Sequence, residues 1–326
     1  MPSHGVSLTP SPSLLTADET IALVDHFVGL GVTKVRLTGG EPTVRRDLVP
    51  LVERLSRLRA RGLRTLAMTS NGITLSPARL AVLWGAGLDA LNLSLDTLRP
   101  EVFEAVSRRP AAQWGAAWGA VEGALAAGWG WTPGRPLKVN VVVQRGVNDW
   151  EAPALVEALT RAWPIHLRLI EFMPFGGNAW GDGGAVVPSA ELRARLAAAL
   201  PGWAPLPAAA EAGAVGAPEF RGGDAFAGTV GFISTVSDAF CGTCTRLRVT
   251  ADGALRACLH GEEEVSLRDA LRASGGAGAL AAGEEAARNA VNAAVAQALG
   301  RKHAALGGRP LEERGSGARG MVRIGG

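Results

Sequence analysis

The feature that most constrains this chain is a repeated order of helix, glycine and apolar strand. Thr16 followed by Glu19 predicts a capping box that opens a helix ending near Leu30, and Gly31 follows it. The same order recurs, and it predicts strands at 34–38, 65–69, 90–95, 138–143 and 167–171. Nearly continuous apolar strands separated by helices favour a parallel sheet, doubly wound or closed towards a barrel. Ligands of such a sheet bind at the carboxyl ends of its strands.

Composition excludes several classes of protein. With 326 residues, of which 47% are hydrophobic, the chain is long enough to bury a full-sized core. The formal net charge is only +3, which argues against a nucleic-acid partner and implies that a few placed arginines would meet any anionic ligand. No apolar run approaches the roughly 18 residues of a membrane span. Residues 1–15 lack the pattern of a targeting peptide, so we expect a soluble protein with no membrane partner.

The composition changes beyond the fifth predicted strand. Residues 203–217 are rich in Ala, Pro and Gly, as in a linker, and we predict two units, 1–201 and 202–326. The second unit begins with a strand at 230–234. After the cysteines, strands at 246–250 and 255–257 are joined through Asp252-Gly253, which predicts a hairpin.

All three cysteines of the chain lie around this hairpin. Cys241 and Cys244 form a CxxC pair, and Cys258 lies across the hairpin from them. Three thiolates are compatible with a 4Fe–4S cluster that leaves one iron open, or with a zinc site completed by His260. They are also compatible with unrelated buried cysteines. Spacing alone does not choose between these interpretations, although an odd number of cysteines argues against a disulfide framework.

A glycine pair follows the first predicted strand. Gly39 and Gly40 allow a ligand to approach backbone groups closely, Glu41 offers a carboxylate to an ammonium group, and Pro42 fixes the exit of the turn. A bare Gly-Gly pair is also typical of an ordinary turn, so the interpretation depends on its context.

In this context Gly39-Gly40-Glu41-Pro42 resembles the motif by which radical S-adenosylmethionine enzymes hold the methionyl amino group. Further segments resemble, in family order, blocks of the GTP 3',8-cyclases of molybdenum cofactor biosynthesis. They are Val35-Arg36-Leu37-Thr38, Met68-Thr69-Ser70-Asn71-Gly72, Leu93-Ser94-Leu95-Asp96, Lys138-Val139-Asn140-Val141-Val142, Arg168-Leu169-Ile170-Glu171-Phe172-Met173-Pro174 and Phe240-Cys241-Gly242-Thr243-Cys244-Thr245-Arg246-Leu247-Arg248. The resemblance extends to the terminal Gly325-Gly326, and the cysteine block with that tail is its most specific part.

The resemblance implies a fold and a set of site residues. The fold is an α/β, incomplete (βα)6 TIM-like barrel lacking its first strand, with a carboxyl-terminal cluster-binding α+β region. The residues matched to S-adenosylmethionine binding are Gly39, Gly40, Glu41, Ser94 and Met173, those matched to GTP binding are Arg36, Thr69, Lys138, Arg168, Arg246 and Arg248, and those matched to the cluster are Cys241, Cys244 and Cys258. Arginine suits phosphate oxygens because of its planar fork. Each residue also has an ordinary structural interpretation, such as a surface charge or core filling.

The resemblance also implies chemistry and partners. In the family one reduced cluster cleaves S-adenosylmethionine, the resulting radical removes the C3' hydrogen of GTP, and the ribose then bonds to guanine C8 to give 3',8-cyclo-7,8-dihydro-GTP. A second cluster, here on the three cysteines, presents its open iron to guanine. The implied partners are GTP, a reductant, a second copy of the chain as a homodimer, and the cyclic pyranopterin monophosphate synthase that takes the product. A eukaryotic member would work in the mitochondrial matrix.

One part of the family pattern is missing from this sequence. Family members bind the catalytic cluster through a CxxxCxxC motif followed by Met-Pro, and this chain begins Met1-Pro2. We therefore expect that an internal Met was taken as the start and that the catalytic-cluster cysteines, and with them the catalytic residues, precede it. Two alternatives stay open, a GTP- and cluster-binding fragment without turnover, and another radical enzyme with an auxiliary cluster, such as a peptide modifier. Arg246-Leu247-Arg248 and the Gly-Gly tail argue against the latter.

Overall fold

The computed structural model describes residues 9–173, 184–206, 219–238, 244–259, 261 and 263–302. Its α-helices are α1 (Ala17–Gly29), α2 (Leu48–Ser56), α3 (Pro77–Gly85), α4 (Pro100–Ser107), α5 (Trp114–Ala126), α6 (Ala152–Thr160), α7 (Ser189–Ala199), α8 (Leu267–Ala273), α9 (Gly276–Ala282) and α10 (Glu285–Gly300). Its strands are β1 (Lys34–Leu37), β2 (Thr65–Ser70), β3 (Ala90–Ser94), β4 (Leu137–Val143), β5 (Ile165–Glu171), β6 (Ala204–Pro205), β7 (Phe220–Arg221), β8 (Thr229–Ile233), β9 (Arg248–Val249), β10 (Ala254–Arg256) and β11 (Val265–Ser266). Within these ranges no helix is long and apolar enough to cross a membrane.

The main sheet has the strand order β1-β2-β3-β4-β5-β8-β7-β6. Strands β1 to β5 are parallel neighbours in chain order, which confirms the predicted parallel α/β sheet. The prediction of five parallel strands was incomplete, because β8 also pairs in parallel with β5. The connection from β5 to β8 contains the helix α7 and the short strands β6 and β7, which extend the sheet beyond β8. The sheet thus continues past residue 201, and the division into two units stays a prediction.

Local capping determines where the helices begin. At the start of α1 the Thr16 N–H donates to Glu19 Oε2 at 2.9 Å, and the Glu19 N–H donates to Thr16 Oγ1 at 3.1 Å. This confirms the predicted capping box. The helix α3 begins in the same manner, since Ser76 Oγ accepts from the Arg79 N–H and Pro77 occupies the first position. Both caps satisfy N–H groups that have no partner inside the helix.

One face of the parallel sheet packs against helices. Alternate residues of β2 to β5, such as Leu66, Leu91, Val139 and Leu167, are fully buried in a single apolar core with residues of α2, α3, α5 and α6. Because successive side chains point to opposite faces of a strand, the residues between them lie on the other face. That second face is where the polar side chains are found.

A second apolar core joins the first helix to the carboxyl-terminal region. It contains Leu23 of α1, Leu255 of β10, Leu271 of α8 and Val291 of α10. A bidentate ion pair also connects α1 to α8, because Arg272 Nε and Nη2 donate to the two carboxylate oxygens of Glu19 at 2.6 and 3.0 Å. Strands β9 and β10 form the predicted hairpin, with β11 as the third strand of this small sheet.

Candidate active site

The polar face of the parallel sheet carries two rows of side chains. The first row consists of residues that are partners in register across five strands: Thr69, Asn92, Lys138, His166 and Thr229. The second row, one step nearer the carboxyl ends of β3 and β4, is Ser94, Asn140, Arg168 and Gly231. Partners in register on parallel strands point to the same side of a sheet. The structure therefore brings the predicted residues Thr69, Ser94, Lys138 and Arg168 onto one surface.

Arginines from distant parts of the chain meet at this surface. Arg36 on β1 donates from Nη1 to Thr69 Oγ1 at 3.3 Å. Burial lowers the pKa of Arg36, and the positive charge of Arg246 lowers it further. Burial also lowers the pKa of Arg168, which is 7% exposed, and the charges of Arg36 and Arg246 add to that effect. Three like charges are therefore near enough to disfavour one another.

Arg248 connects these arginines to the cysteines. Burial lowers the pKa of Arg248 and so does the charge of Arg246, whereas the thiols of Cys244 and Cys258 raise it when they ionise. We call Arg36, Arg168, Arg246 and Arg248 the arginine group. Positive charges that repel one another without a ligand are suited to a multiply charged anion, because each new anion–guanidinium contact offsets that repulsion.

Two of the three cysteines lie in the described part of the chain. Cys244 and Cys258 are free, half-buried thiols. Antiparallel pairing of Arg248 with Arg256 brings their chain segments together, since Cys244 precedes β9 and Cys258 follows β10. Cysteine binds metals through its thiolate form. The donor set therefore fits iron–sulfur or zinc, both of which prefer thiolate ligands.

The choice between these metals depends on residues outside the described ranges. Cys241 and the alternative zinc ligand His260 both lie outside them. Among the described residues there is no group of three His, Cys, Asp or Glu side chains that could hold a metal ion. The three-cysteine cluster site thus stays a prediction.

The glycine pair after β1 adopts a conformation that requires glycine. Gly39 and Gly40 have φ angles of 88° and 58°, in the left-handed region. A Cβ atom on Gly40 would meet nothing within 4 Å, so the space above it is open to a ligand. Ser94 ends β3 and Met173 follows β5, and both are half-buried. The residues predicted to bind S-adenosylmethionine thus lie near the carboxyl ends of β1, β3 and β5, on the side of the sheet where the parallel strands end.

Glu41 has structural partners that the sequence did not reveal. Its Oε1 accepts from Ser70 Oγ at 2.8 Å and from the Thr43 N–H at 3.1 Å. Its Oε2 accepts from the Asn71 N–H at 2.8 Å. The carboxylate thereby ties the glycine turn to the end of β2, which fixes the turn beside the sheet edge. Binding of an ammonium group by Glu41 stays a prediction.

Several polar residues of this region were not singled out from the sequence. Asn140 Oδ1 is buried and has no hydrogen-bond partner among the described residues. His166 Nδ1 lies 3.1 Å from Thr229 Oγ1. Burial raises the pKa of Asp96 to about 6, although a hydrogen bond from the Val142 N–H opposes this rise. The signal for Asn140 and His166 was present in the alternation of polar and apolar residues along β4 and β5.

The matches to protein families and the matches to known proteins point to the same family along the whole chain. Residues 2–159 match the Radical SAM superfamily, and residues 165–303 match Molybdenum Cofactor Synthesis C. The "GTP 3',8-cyclase, mitochondrial" of Arabidopsis thaliana is 42% identical over 100% of this chain and 76% of that protein. The "GTP 3',8-cyclase" of Heliobacterium modesticaldum is 40% identical over 83% of this chain and 79% of that protein.

The animal relatives are longer. "Molybdenum cofactor biosynthesis protein 1" of Mus musculus is 42% identical over 94% of this chain, which spans only 44% of that protein. Among solved structures, SuiB of Streptococcus suis matches 56% of this chain and 39% of its own, with 16% identity and a TM-score of 0.43. That structural likeness is too low to carry an argument, so the sequence relatives and the two family matches carry the assignment.

Proposed function

Because the chain belongs to the GTP 3',8-cyclase family of molybdenum cofactor biosynthesis, within the radical SAM superfamily, we propose that its polar sheet face binds GTP for cyclisation. The reaction joins ribose C3' to guanine C8 and gives 3',8-cyclo-7,8-dihydro-GTP. Two relatives with the name GTP 3',8-cyclase are matched over 76% and 79% of their length, which supports assigning the reaction type.

The observation that carries the proposal is the arginine group. A GTP triphosphate needs several cations at once, and these four guanidinium groups come from β1, β5 and the segment after the CxxC pair. Burial lowers the pKa values of Arg36, Arg168 and Arg248, and the charge of Arg246 lowers each of them further, which supports a site adapted to a polyanion. Thr69 and Lys138, on the same face, would complete the GTP contacts.

The proposal extends to the cofactor sites. Gly39, Gly40, Glu41, Ser94 and Met173 would hold S-adenosylmethionine along the sheet edge, and Cys241, Cys244 and Cys258 would hold a 4Fe–4S cluster. When bound through three thiolates, such a cluster supplies one iron that is free to contact the guanine. Arg248 lies beside two of these thiols, so nucleotide and cluster would be neighbours. The proposed partners are a reductant, a second copy of the chain and cyclic pyranopterin monophosphate synthase.

A finer proposal concerns turnover by these 326 residues alone. The sequence contains three cysteines, all of them assigned to the carboxyl-terminal site. A CxxxCxxC site for the cluster that cleaves S-adenosylmethionine therefore has no thiolates left. We propose that this chain by itself binds GTP and one cluster without cleaving S-adenosylmethionine.

Anaerobic reconstitution with iron and sulfide tests these proposals together. The expected outcome is bound iron with matching sulfide, GTP binding by calorimetry, and no 5'-deoxyadenosine in a dithionite-reduced assay analysed by chromatography. Stoichiometric zinc without sulfide would refute the cluster. Release of 5'-deoxyadenosine would show that the first cluster has been placed wrongly, and absent GTP binding would refute the nucleotide site.

A further inference from the structure

The carboxylate of Glu171 joins three separate segments of the chain. Glu171 ends β5 and is 0% exposed. Its Oε1 accepts from the Ser189 N–H at 2.7 Å, from Ser189 Oγ at 2.9 Å and from Ser237 Oγ. Its Oε2 accepts from the N–H groups of Val236 and Ser237 at 2.8 and 2.9 Å. A carboxylate has about four lone-pair sites, so these five hydrogen bonds leave none of them without a donor.

The charge of Glu171 is stabilised by these contacts. Burial raises the pKa of Glu171, but the hydrogen bonds from Ser237, Ser189 and Val236 outweigh it and leave the pKa below its usual range. Ser189 is also the first residue of α7, so the carboxylate sits at the positive end of a helix. A buried carboxylate is stable only with such compensation, and the three segments must therefore stay assembled around it.

The segment that Glu171 holds leads into the cysteines. Cys241 follows Ser237 by four positions. Two more contacts reinforce the same segment, because Ser234 Oγ donates to Ser189 Oγ at 2.8 Å and Thr235 Oγ1 donates to the Glu171 carbonyl at 3.4 Å. Residues 234–237 are thus fixed to the end of β5 immediately before the cysteine segment.

We propose that Glu171 is a positioning residue that holds residues 234–237 in place, and through them sets the CxxC pair of the three-cysteine cluster site. This inference rests on the proposed cluster site. A neutral amide cannot take over the role, since its NH₂ group would face N–H or O–H donors that now meet a carboxylate oxygen. The result of Glu171→Gln should be a loosened cysteine segment in an otherwise folded protein.

The test compares the release of iron from three proteins. The 326-residue chain is reconstituted anaerobically, and iron transfer to a coloured chelator is timed for wild type, Glu171→Gln and Glu151→Gln. Glu151 is a matched control, because it is 2% exposed and accepts from Thr97 Oγ1 and the Leu98 N–H at 2.6 and 2.9 Å, in a region without cysteines. All three cysteines of the sequence belong to the site in question, so the released iron reports on that site.

We expect Glu171→Gln to release iron on the order of tenfold faster than wild type, the factor for losing about one hydrogen bond to a charged group. Glu151→Gln should match wild type. Ser237→Ala, which removes only the hydroxyl bond, should give an intermediate rate and remains informative if Glu171→Gln fails to fold. Equal rates for the two Gln variants, or a wild-type rate for Ser237→Ala, would overturn the inference. A wild-type protein that takes up no iron would overturn the proposed cluster site itself, together with the inference.

Discussion

The substitution Arg246→Ala tests whether the charge of Arg246 binds a ligand or stabilises the fold. Arg246 is exposed, so its removal leaves no buried cavity. Its charge nevertheless lowers the pKa of Arg36, Arg168 and Arg248, which means that it destabilises three neighbouring cations when no anion is bound. Two opposite effects should follow. GTP binding should weaken, and the ligand-free protein should become slightly more stable.

The expected sizes of the two effects differ. Loss of a charge-assisted hydrogen bond to phosphate costs about 1.5–3 kcal/mol, which corresponds to roughly 10- to 150-fold weaker GTP binding. Relief of repulsion between partly solvated charges should raise the unfolding free energy without GTP by on the order of 0.5–1 kcal/mol. Arg246→Lys should restore GTP affinity only in part, because an ammonium group lacks the bidentate fork.

The assays are GTP titration by calorimetry and urea unfolding without nucleotide. Arg57→Ala is the matched control, since Arg57 is also exposed and its loss changes the net charge equally, from +3 to +2. We expect the control to leave both quantities unchanged. If Arg246→Ala binds GTP like wild type, or if it lowers the stability of the ligand-free protein, then Arg246 does not serve to bind a polyanion.

Three other predictions follow from single contacts. Gly40→Ala should lower the unfolding free energy by about 1–2 kcal/mol in urea titrations, because Gly40 has a φ of 58° and only strain, with no steric clash, opposes the new methyl group. The hydrogen bond from Arg272 lowers the pKa of Glu19 in the folded protein. The difference in unfolding free energy between wild type and Glu19→Gln should therefore have its full size above the pKa of an unfolded glutamate, about 4.3. The gap should close as the pH falls through the lower folded pKa, and equal gaps at pH 7 and pH 2 would contradict this. Cys244→Ser should abolish stable iron binding after reconstitution, and full iron with sulfide in that variant would show that Cys244 is not a ligand.

The fold was predictable where local signals were strong. The capping box of α1, the parallel strands β1 to β5 and the hairpin with Gly253 at φ 79° follow from residue patterns that act over a few positions. The place of β8 was not predictable in this way. Its pairing with β5 joins two segments that are far apart in the chain, with α7, β6 and β7 between them, and such long-range pairing leaves no periodic pattern in the sequence.

The arrangement of the candidate site also depends on long-range contacts that local sequence patterns do not reveal. The residues were predicted one by one from a resemblance, but their grouping depends on distant segments that meet in the fold. The charge of Arg246 acts on Arg36 only because the fold brings these two distant segments of the chain together. The polar face was readable in principle, since Asn140 and Arg168 alternate with apolar neighbours, yet the strands were interpreted as continuously apolar. Glu171 stood in a recognised block, but its five contacts depend on where the fold places Ser189 and residues 236–237.

The packing of α1 against the carboxyl-terminal helices has a consequence for how this protein is made. Glu19 and Arg272 are 253 positions apart in the chain. At a synthesis rate of about 5–20 residues per second, α1 leaves the ribosome roughly 13–50 s before its partner helices exist. During that interval the apolar face around Leu23 has nothing native to cover it, so the nascent chain is exposed to aggregation and to capture by chaperones. The arginine group cannot assemble before Arg248 has been synthesised, and a protein cut between residues 201 and 202 would keep α1 permanently without its partners.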